Sequence, residues 1–96
     1  MSAPLAQRLV ITGTVQGVWY RASAAEAAAR FGVRGWVRNT ADGSVEALVI
    51  GTEYMLESFV AWCHQGPPKA KVARVTVTEV DLPDPLPTDF IVAPDA

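Results

Sequence analysis

The stretch from Gly13 to Arg21, Gly-Thr-Val-Gln-Gly-Val-Trp-Tyr-Arg, has the residue types and spacing that most directly suggest chemistry. It lies between a strand-like run and an alanine-rich helical run. The first amides of a helix have no intrahelical partner and sit at the positive end of its dipole, where anions are favoured. Gly13 and Gly17 remove side-chain bulk and accept positive φ, which lets successive amides converge into an anion-binding concavity. Arg21, at the mouth of the helix, adds a planar fork of donors matched to two phosphate oxygens. A plainer reading competes: Gly17 makes a turn, Arg21 is solvated, and Ser23-Ala24-Ala25-Glu26 is a capping box that starts the helix later. The stretch is not a Walker loop, since no Gly-Lys-Ser/Thr follows.

Asn39 is the second candidate. Arg34, Trp36 and Arg38 share one parity and Val33, Gly35, Val37 and Asn39 the other, so the arginine-bearing set is expected to face water and Asn39 the helices. Taken alone, Asn39 reads as the start of the turn toward Asp42-Gly43. Taken with Arg21, the loop and the hairpin, and if its strand runs antiparallel to its neighbours so as to finish beside the loop, its carboxamide is expected to hold a water against a bound phosphate. A carboxamide is no strong base, but it donates and accepts hydrogen bonds and so fixes a nucleophile's position.

These residues need elements to position them. Leu9, Ile11 and Gly13 alternate with Arg8, Val10 and Thr12, the period of a half-buried strand. Arg21 to Gly32 is rich in helix formers and ends on a glycine suited to a helix stop. Two β-prone runs, 33–40 and 44–51, are joined through Ala41-Asp42-Gly43-Ser44, a hairpin signal. Leu56, Phe59, Val60 and Cys63 recur at helical spacing, with Thr52 as N-cap and Pro67-Pro68 barring continuation. Residues 71–80 read as a strand, and the step from Val72 to Val75 breaks alternation and suggests either a bulge or a later start of the strand. In the tail, 82–96, only Phe90-Ile91-Val92 offers a short edge strand. The order β-α-β-β-α-β is that of a ferredoxin-like α+β sandwich, an antiparallel sheet with two helices on one face.

The totals bound the function. Ninety-six residues, half of them hydrophobic and 19% charged, suit one domain over 1–96 with its own core. A net charge of -2 gives no global attraction to nucleic acid or anionic membrane, so an anion must be captured locally. One cysteine, Cys63, excludes an internal disulfide and a multi-cysteine metal site and suits a reducing cytoplasm. No apolar run reaches the ~18 residues of a membrane span, and no export signal opens the chain. A cytoplasmic monomer is expected.

The segments Gly13–Arg21, Phe31–Glu46 and Gly66–Val72 together resemble the acylphosphatases, small phosphohydrolases that cleave carboxyl-phosphate anhydrides. The resemblance spans about 8–77, with the motifs in order. It implies the fold already inferred and a phosphate cradle from the loop backbone, Val15, Gln16, Gly17, Val18, Trp19 and Tyr20. It further implies a phosphate-binding Arg21 and a water-orienting Asn39. Implied with these are an acyl phosphate substrate, inorganic phosphate as product and inhibitor, and no metal or other cofactor. Tyr20 stands where phenylalanine is common and Val33 where leucine is common. The tail ends Pro94-Asp95-Ala96 where many members finish with a basic and aromatic pair, so the last strand is expected to sit differently near the outer substrate pocket.

Other residues invite plainer readings. His64, the only histidine, reads as a solvated helix-end residue, and Cys63 as core. Trp36, Tyr54 and Trp62 are assigned to packing, and Asp42 and Glu46 have no acid/base role. Of Trp19 and Tyr20, one is expected to anchor the loop and the other to border the substrate. RNA binding on the open sheet face lacks a basic-aromatic run. The closer rival is a non-catalytic acylphosphatase-like module that binds phosphate or carbamoyl phosphate, like the domain at the N-terminus of larger hydrogenase-maturation proteins. A chain of one such domain has nothing to regulate in cis.

Overall fold

The computed structural model describes residues 3–96. In chain order the elements are β1 (Leu5–Thr14), α1 (Tyr20–Phe31), β2 (Arg34–Asn39), β3 (Val45–Gly51), α2 (Glu53–Gln65), β4 (Lys71–Val80) and β5 (Phe90–Val92). The sheet order is β4-β1-β3-β2-β5. The expected sandwich forms, with one correction. The first four strands pair antiparallel, but β5 runs parallel to β2, so the sheet is mixed. The physical reason is the connection: after β4, on one edge, residues 81–89 carry the chain to the opposite edge, and such a crossover can deliver a parallel strand where a hairpin cannot.

This topology decides which strand ends meet. β1 and β2 both pair antiparallel with β3, and Ile11 and Asn39 both lie opposite Val45. They are therefore parallel to each other and finish at the same end of the sheet. β5, with Val92 in register with Val37, finishes there too. The loop after β1, the end of β2 and the tail after β5 converge by register alone.

The core lies between the sheet and the helices. Leu9, Ile11, Val37, Val45, Ala47 and Val49 on the strands face Ala24, Ala27, Ala28, Leu56, Phe59 and Cys63 on the helices, all buried. The alanines of α1 let that helix approach closely; Phe59 carries the bulk on α2, and truncating such a residue costs about 3–5 kcal/mol. Thr52 caps α2 as expected, its hydroxyl accepting from the Met55 amide at 3.3 Å. The bulge is real: Thr12 pairs with Arg74 but Gly13 with Val72, leaving Ala73 as the extra residue.

Gly13 therefore does a different job from the one expected of it. It sits inside β1, where a Cβ would stand 2.2 Å from the Lys71 carbonyl oxygen. Only glycine lets the backbones close over the bulge. The loop that leads into α1 begins only after it, past Thr14.

Candidate active site

At the convergent end of the sheet lies a cavity of about 390 Å³ lined by Val15, Gly17, Trp19, Tyr20, Arg21, Ala22, Asn39 and Val92. The loop that forms its floor is held from three sides. Val15 is buried in the core. Gln16 turns away from the cavity, its Nε2 donating to the carbonyls of Thr40 at 2.9 Å and Ser44 at 2.8 Å. This ties the loop to the β2–β3 turn and so to Asn39. That turn is itself fixed by Asp42, whose carboxylate accepts from the Thr40 hydroxyl and the Ser44 amide. Those two bonds, the hydroxyl's first, hold its carboxyl below the ordinary carboxylate range. Gly17 takes φ 75 with open space around it, so its left-handed backbone is the turn's requirement.

Tyr20 anchors the third side. It is 2% exposed, and its ring packs against Trp62 with centroids 5.4 Å apart. Its hydroxyl donates to the Cys63 carbonyl at 2.8 Å. The natural helical partner of that carbonyl would be the amide four residues on, but Pro67 has none. The phenol supplies the missing donor. Burial, with the neighbouring Cys63, raises its pKa and keeps it protonated, and burial pushes the Cys63 thiol up to about 12. Neither group is a nucleophile here.

Helix α1 starts at Tyr20, earlier than a capping box at Ser23 would allow. Its N-cap is Trp19 in the left-handed conformation, φ 67 and ψ 23, with no side-chain cap and no acidic residue in the first turn. A bulky residue there carries strain of order 1–3 kcal/mol. The first helical bond runs from the Ser23 amide to the Trp19 carbonyl at 3.0 Å, so the amides of Tyr20, Arg21 and Ala22 have no helical acceptor. Trp19 itself is 79% exposed. Of the two aromatics, Tyr20 is the anchor and Trp19 borders the opening.

Arg21 lines the cavity from the first turn. Its Nη1 donates to Oδ1 of Asp95 at 3.0 Å. The tail that carries Asp95 is held along the end of β2: the Ala93 amide donates to the Val37 carbonyl at 2.8 Å and the Ala96 amide to that of Asn39 at 3.0 Å. Asn39 is half-buried, and its Oδ1 is buried with no donor among the described residues. An unpaired acceptor beside a cavity is the kind of atom an ordered water satisfies.

The structure thus brings Val15, Gly17, Trp19, Tyr20, Arg21 and Asn39 to one cavity. The side chains of Gln16 and Val18 do not line it: the first braces the loop and the second packs on the core. Sequence reading missed Ala22, Val92 and Asp95. The first needed the true helix start; the other two needed the parallel register of β5. His64 is exposed at the end of α2 and Cys63 is buried, as expected. Among the described residues no three His, Cys, Asp or Glu side chains gather as a metal site, and no helix is long and apolar enough to cross a membrane.

The family model "Acylphosphatase" matches residues 7–92. An acylphosphatase of Azoarcus sp. (strain BH72) is 55% identical over 86 residues, covering 88% of this chain and 83% of the relative. The crystal structure of acylphosphatase from Bacillus subtilis superposes with a TM-score of 0.88 at 36% identity, covering 93% of this chain and 98% of the other. Full-length HypF, in its phosphate- and nucleotide-bound form, gives a TM-score of 0.88 at 25% identity over 99% of this chain and 12% of that chain. With its loop, helix start and strand ends gathered around one cavity, and with that match over nearly its whole length, this chain belongs to the acylphosphatase family.

Proposed function

We propose that this chain hydrolyses acyl phosphates to a carboxylate and inorganic phosphate, without a metal, through Arg21, Asn39 and the backbone of residues 15–21. Family membership makes it an acylphosphatase; the assignment of roles is our reading of the site. In that reading the phosphoryl group sits against the loop amides and the first turn of α1, and Arg21 supplies a guanidinium to its oxygens. Asn39 holds a water in line with the departing oxygen. The water oxygen bonds to phosphorus, the P–O bond to the acyl group breaks with its electron pair leaving on the carboxylate, and a phosphoryl oxygen takes the water's proton. A carboxylate is a good leaving group, so charge stabilisation and alignment suffice.

The observation that carries this reading is the joint lining of one cavity by Gly17, Arg21 and Asn39. Cys63 is a free buried thiol, which suits a reducing cytoplasm. The deciding experiment is release of acetate or benzoate from the matching acyl phosphate in the presence of chelator, with inorganic phosphate as competitive inhibitor. Turnover that appears only with added divalent metal would refute the metal-free mechanism. The likeness to part of HypF favours a second reading, a phosphate-binding module without activity. Phosphate binding with no turnover of any acyl phosphate would select it.

A further inference from the structure

Two hydrogen bonds of the β1–α1 loop are not needed by the turn they reach. Gln16 Nε2 donates to the Thr40 carbonyl at 2.9 Å and to the Ser44 carbonyl at 2.8 Å. Each carbonyl has another donor within the turn. The Thr40 oxygen accepts from the Gly43 amide at 3.2 Å, and the Ser44 oxygen from the Thr40 amide at 2.9 Å and the Thr40 hydroxyl at 3.1 Å. Removing the Gln16 donor therefore orphans no acceptor. We propose that Gln16 is a positioning residue for hydrolysis, whose side chain sets where Asn39 stands relative to the phosphate-binding backbone. This rests on the phosphohydrolase reading and adds to it a residue whose side chain touches neither the substrate nor the attacking water.

The topology calls for such a brace. The loop follows β1 and Asn39 ends β2, but β3 lies between those strands in the sheet, so no ladder bond joins them directly. Among the described residues, the Gln16 bonds are the only hydrogen bonds between residues 15–19 and 39–44. They grip the residue that follows Asn39 in the chain and, at Ser44, the far side of the turn. That turn is closed by the Asp42 carboxylate, which accepts from the Thr40 hydroxyl at 2.6 Å and the Ser44 amide at 3.0 Å. A bond to it therefore fixes the backbone of Asn39. On the loop side, Gln16 stands directly before Gly17, whose left-handed backbone lies in open space. Its side chain is the last anchor before a residue that can pivot.

The reaction is sensitive to what this brace controls. The Asn39 carboxamide oxygen has no donor among the described residues, so its position follows that of its own backbone. A water held by Asn39 has to meet phosphorus in line with the departing oxygen, and a misplacement of ~1 Å in such an arrangement costs about a hundredfold. The brace also depends on the carboxamide chemistry of Gln16. Its NH2 group has one hydrogen for each carbonyl, whereas an ionised carboxylate of the same shape has none.

The test measures kcat on benzoyl phosphate and the inhibition constant of inorganic phosphate at pH 7, in the full chain. It compares wild type, Gln16→Met, Gln16→Glu, Asn39→Ala and the Gln16→Met/Asn39→Ala double variant. Met keeps the reach of the side chain and Glu its shape; both lose the donors and leave the backbone amide of residue 16 in place. In each, kcat is expected to fall about ten- to a hundredfold, while the phosphate inhibition constant stays within about twofold of wild type. In the Asn39→Ala background, Gln16→Met is expected to cost less than about twofold in kcat, because the group it acts through is gone. Wild-type kcat in Gln16→Met, in Gln16→Glu or in Asn39→Ala overturns the proposal. So does phosphate inhibition that weakens as much as kcat falls, which would make the side chain a support of the cradle alone. A Gln16→Met loss that multiplies undiminished onto Asn39→Ala overturns it as well. A wild-type chain that turns over no acyl phosphate would instead overturn the phosphohydrolase reading beneath it, a result distinct from any pattern among active variants.

Discussion

Arg21 and Asp95 lie 74 residues apart in the sequence and meet through one hydrogen bond of 3.0 Å. The contact is monodentate, and both side chains are partly exposed, Arg21 at 37% and Asp95 at 64%. An exposed pair of this kind contributes only about 0.2–1 kcal/mol to stability. Its consequence is orientation. One donor of the guanidinium meets Asp95 while Arg21 lines the cavity, and under the proposed function the remaining donors serve a phosphoryl group. Asp95→Ala is expected to raise KM and the phosphate inhibition constant two- to fivefold while leaving the melting temperature almost unchanged, and Asp95→Asn, which keeps an acceptor, to fall between. Tighter phosphate inhibition in Asp95→Ala would mean that the carboxylate competes with substrate rather than orienting the arginine.

Arg21 and Asn39 are expected to fail in different ways. Under the proposed mechanism Arg21→Ala removes a charged donor from the phosphoryl group in ground and transition states, so phosphate inhibition is expected to weaken and turnover to drop together. The transition-state loss is on the order of 3 kcal/mol, or roughly a hundredfold. Asn39→Ala leaves the loop amides and Arg21 in place, so phosphate still inhibits at near-normal concentration while kcat falls by a similar factor. Measuring kcat and phosphate inhibition side by side in both variants checks the division of roles; wild-type turnover in Asn39→Ala would remove Asn39 from the mechanism.

Tyr20 links the site to the second helix. Its hydroxyl satisfies the Cys63 carbonyl that Pro67 leaves without an amide partner. Tyr20→Phe keeps the ring but orphans a buried acceptor, which costs about 1–3 kcal/mol. In a domain of this size each kcal/mol moves the melting temperature by about 4–8 °C. Thermal unfolding should therefore fall by several degrees at least, with activity at 25 °C retained, because the hydroxyl faces the core and not the cavity.

The sequence carried the four-stranded body because its signals are local: alternation in β1, the Asp42-Gly43 turn, and the Thr52 cap each depend on neighbours in the chain. It carried Arg21 and Asn39 for the same reason, one at a loop-to-helix junction and the other at a strand end. Val92 and Asp95 were illegible because only the parallel pairing of β5 with β2 brings the first to the cavity and the second to Arg21. A three-residue strand has too little pattern to declare its direction. Gly13 was misread for a related cause. A glycine beside a second glycine in a loop-like stretch suggests a cradle, and only the pairing with β4 reveals a strand too close to admit a Cβ.

Glu46, given no role from sequence, is a buried carboxylate on the open face of the sheet. It accepts from Arg8 Nε at 2.6 Å and from Arg38 Nε at 2.8 Å, and Arg38 in turn lies over the Trp36 ring at 4.7 Å. Burial alone would raise its pKa, but the hydrogen bonds and charges of Arg38 and Arg8 outweigh that and hold it below the ordinary 4.5. A carboxyl with a lowered pKa in the folded state adds stability that is fully present above 4.5 and disappears as pH falls through the folded-state value. Since Arg8 and Arg38 keep half and a third of their side-chain surface in water, the contribution is about 1–2 kcal/mol rather than that of a fully enclosed pair. Glu46→Gln is expected to lower the melting temperature by about 5–15 °C at pH 7. The gap from wild type should narrow steadily on acidification below 4.5. A gap that stays constant down to the acid-unfolding limit would show that packing, and not the ion cluster, is what the substitution disturbs.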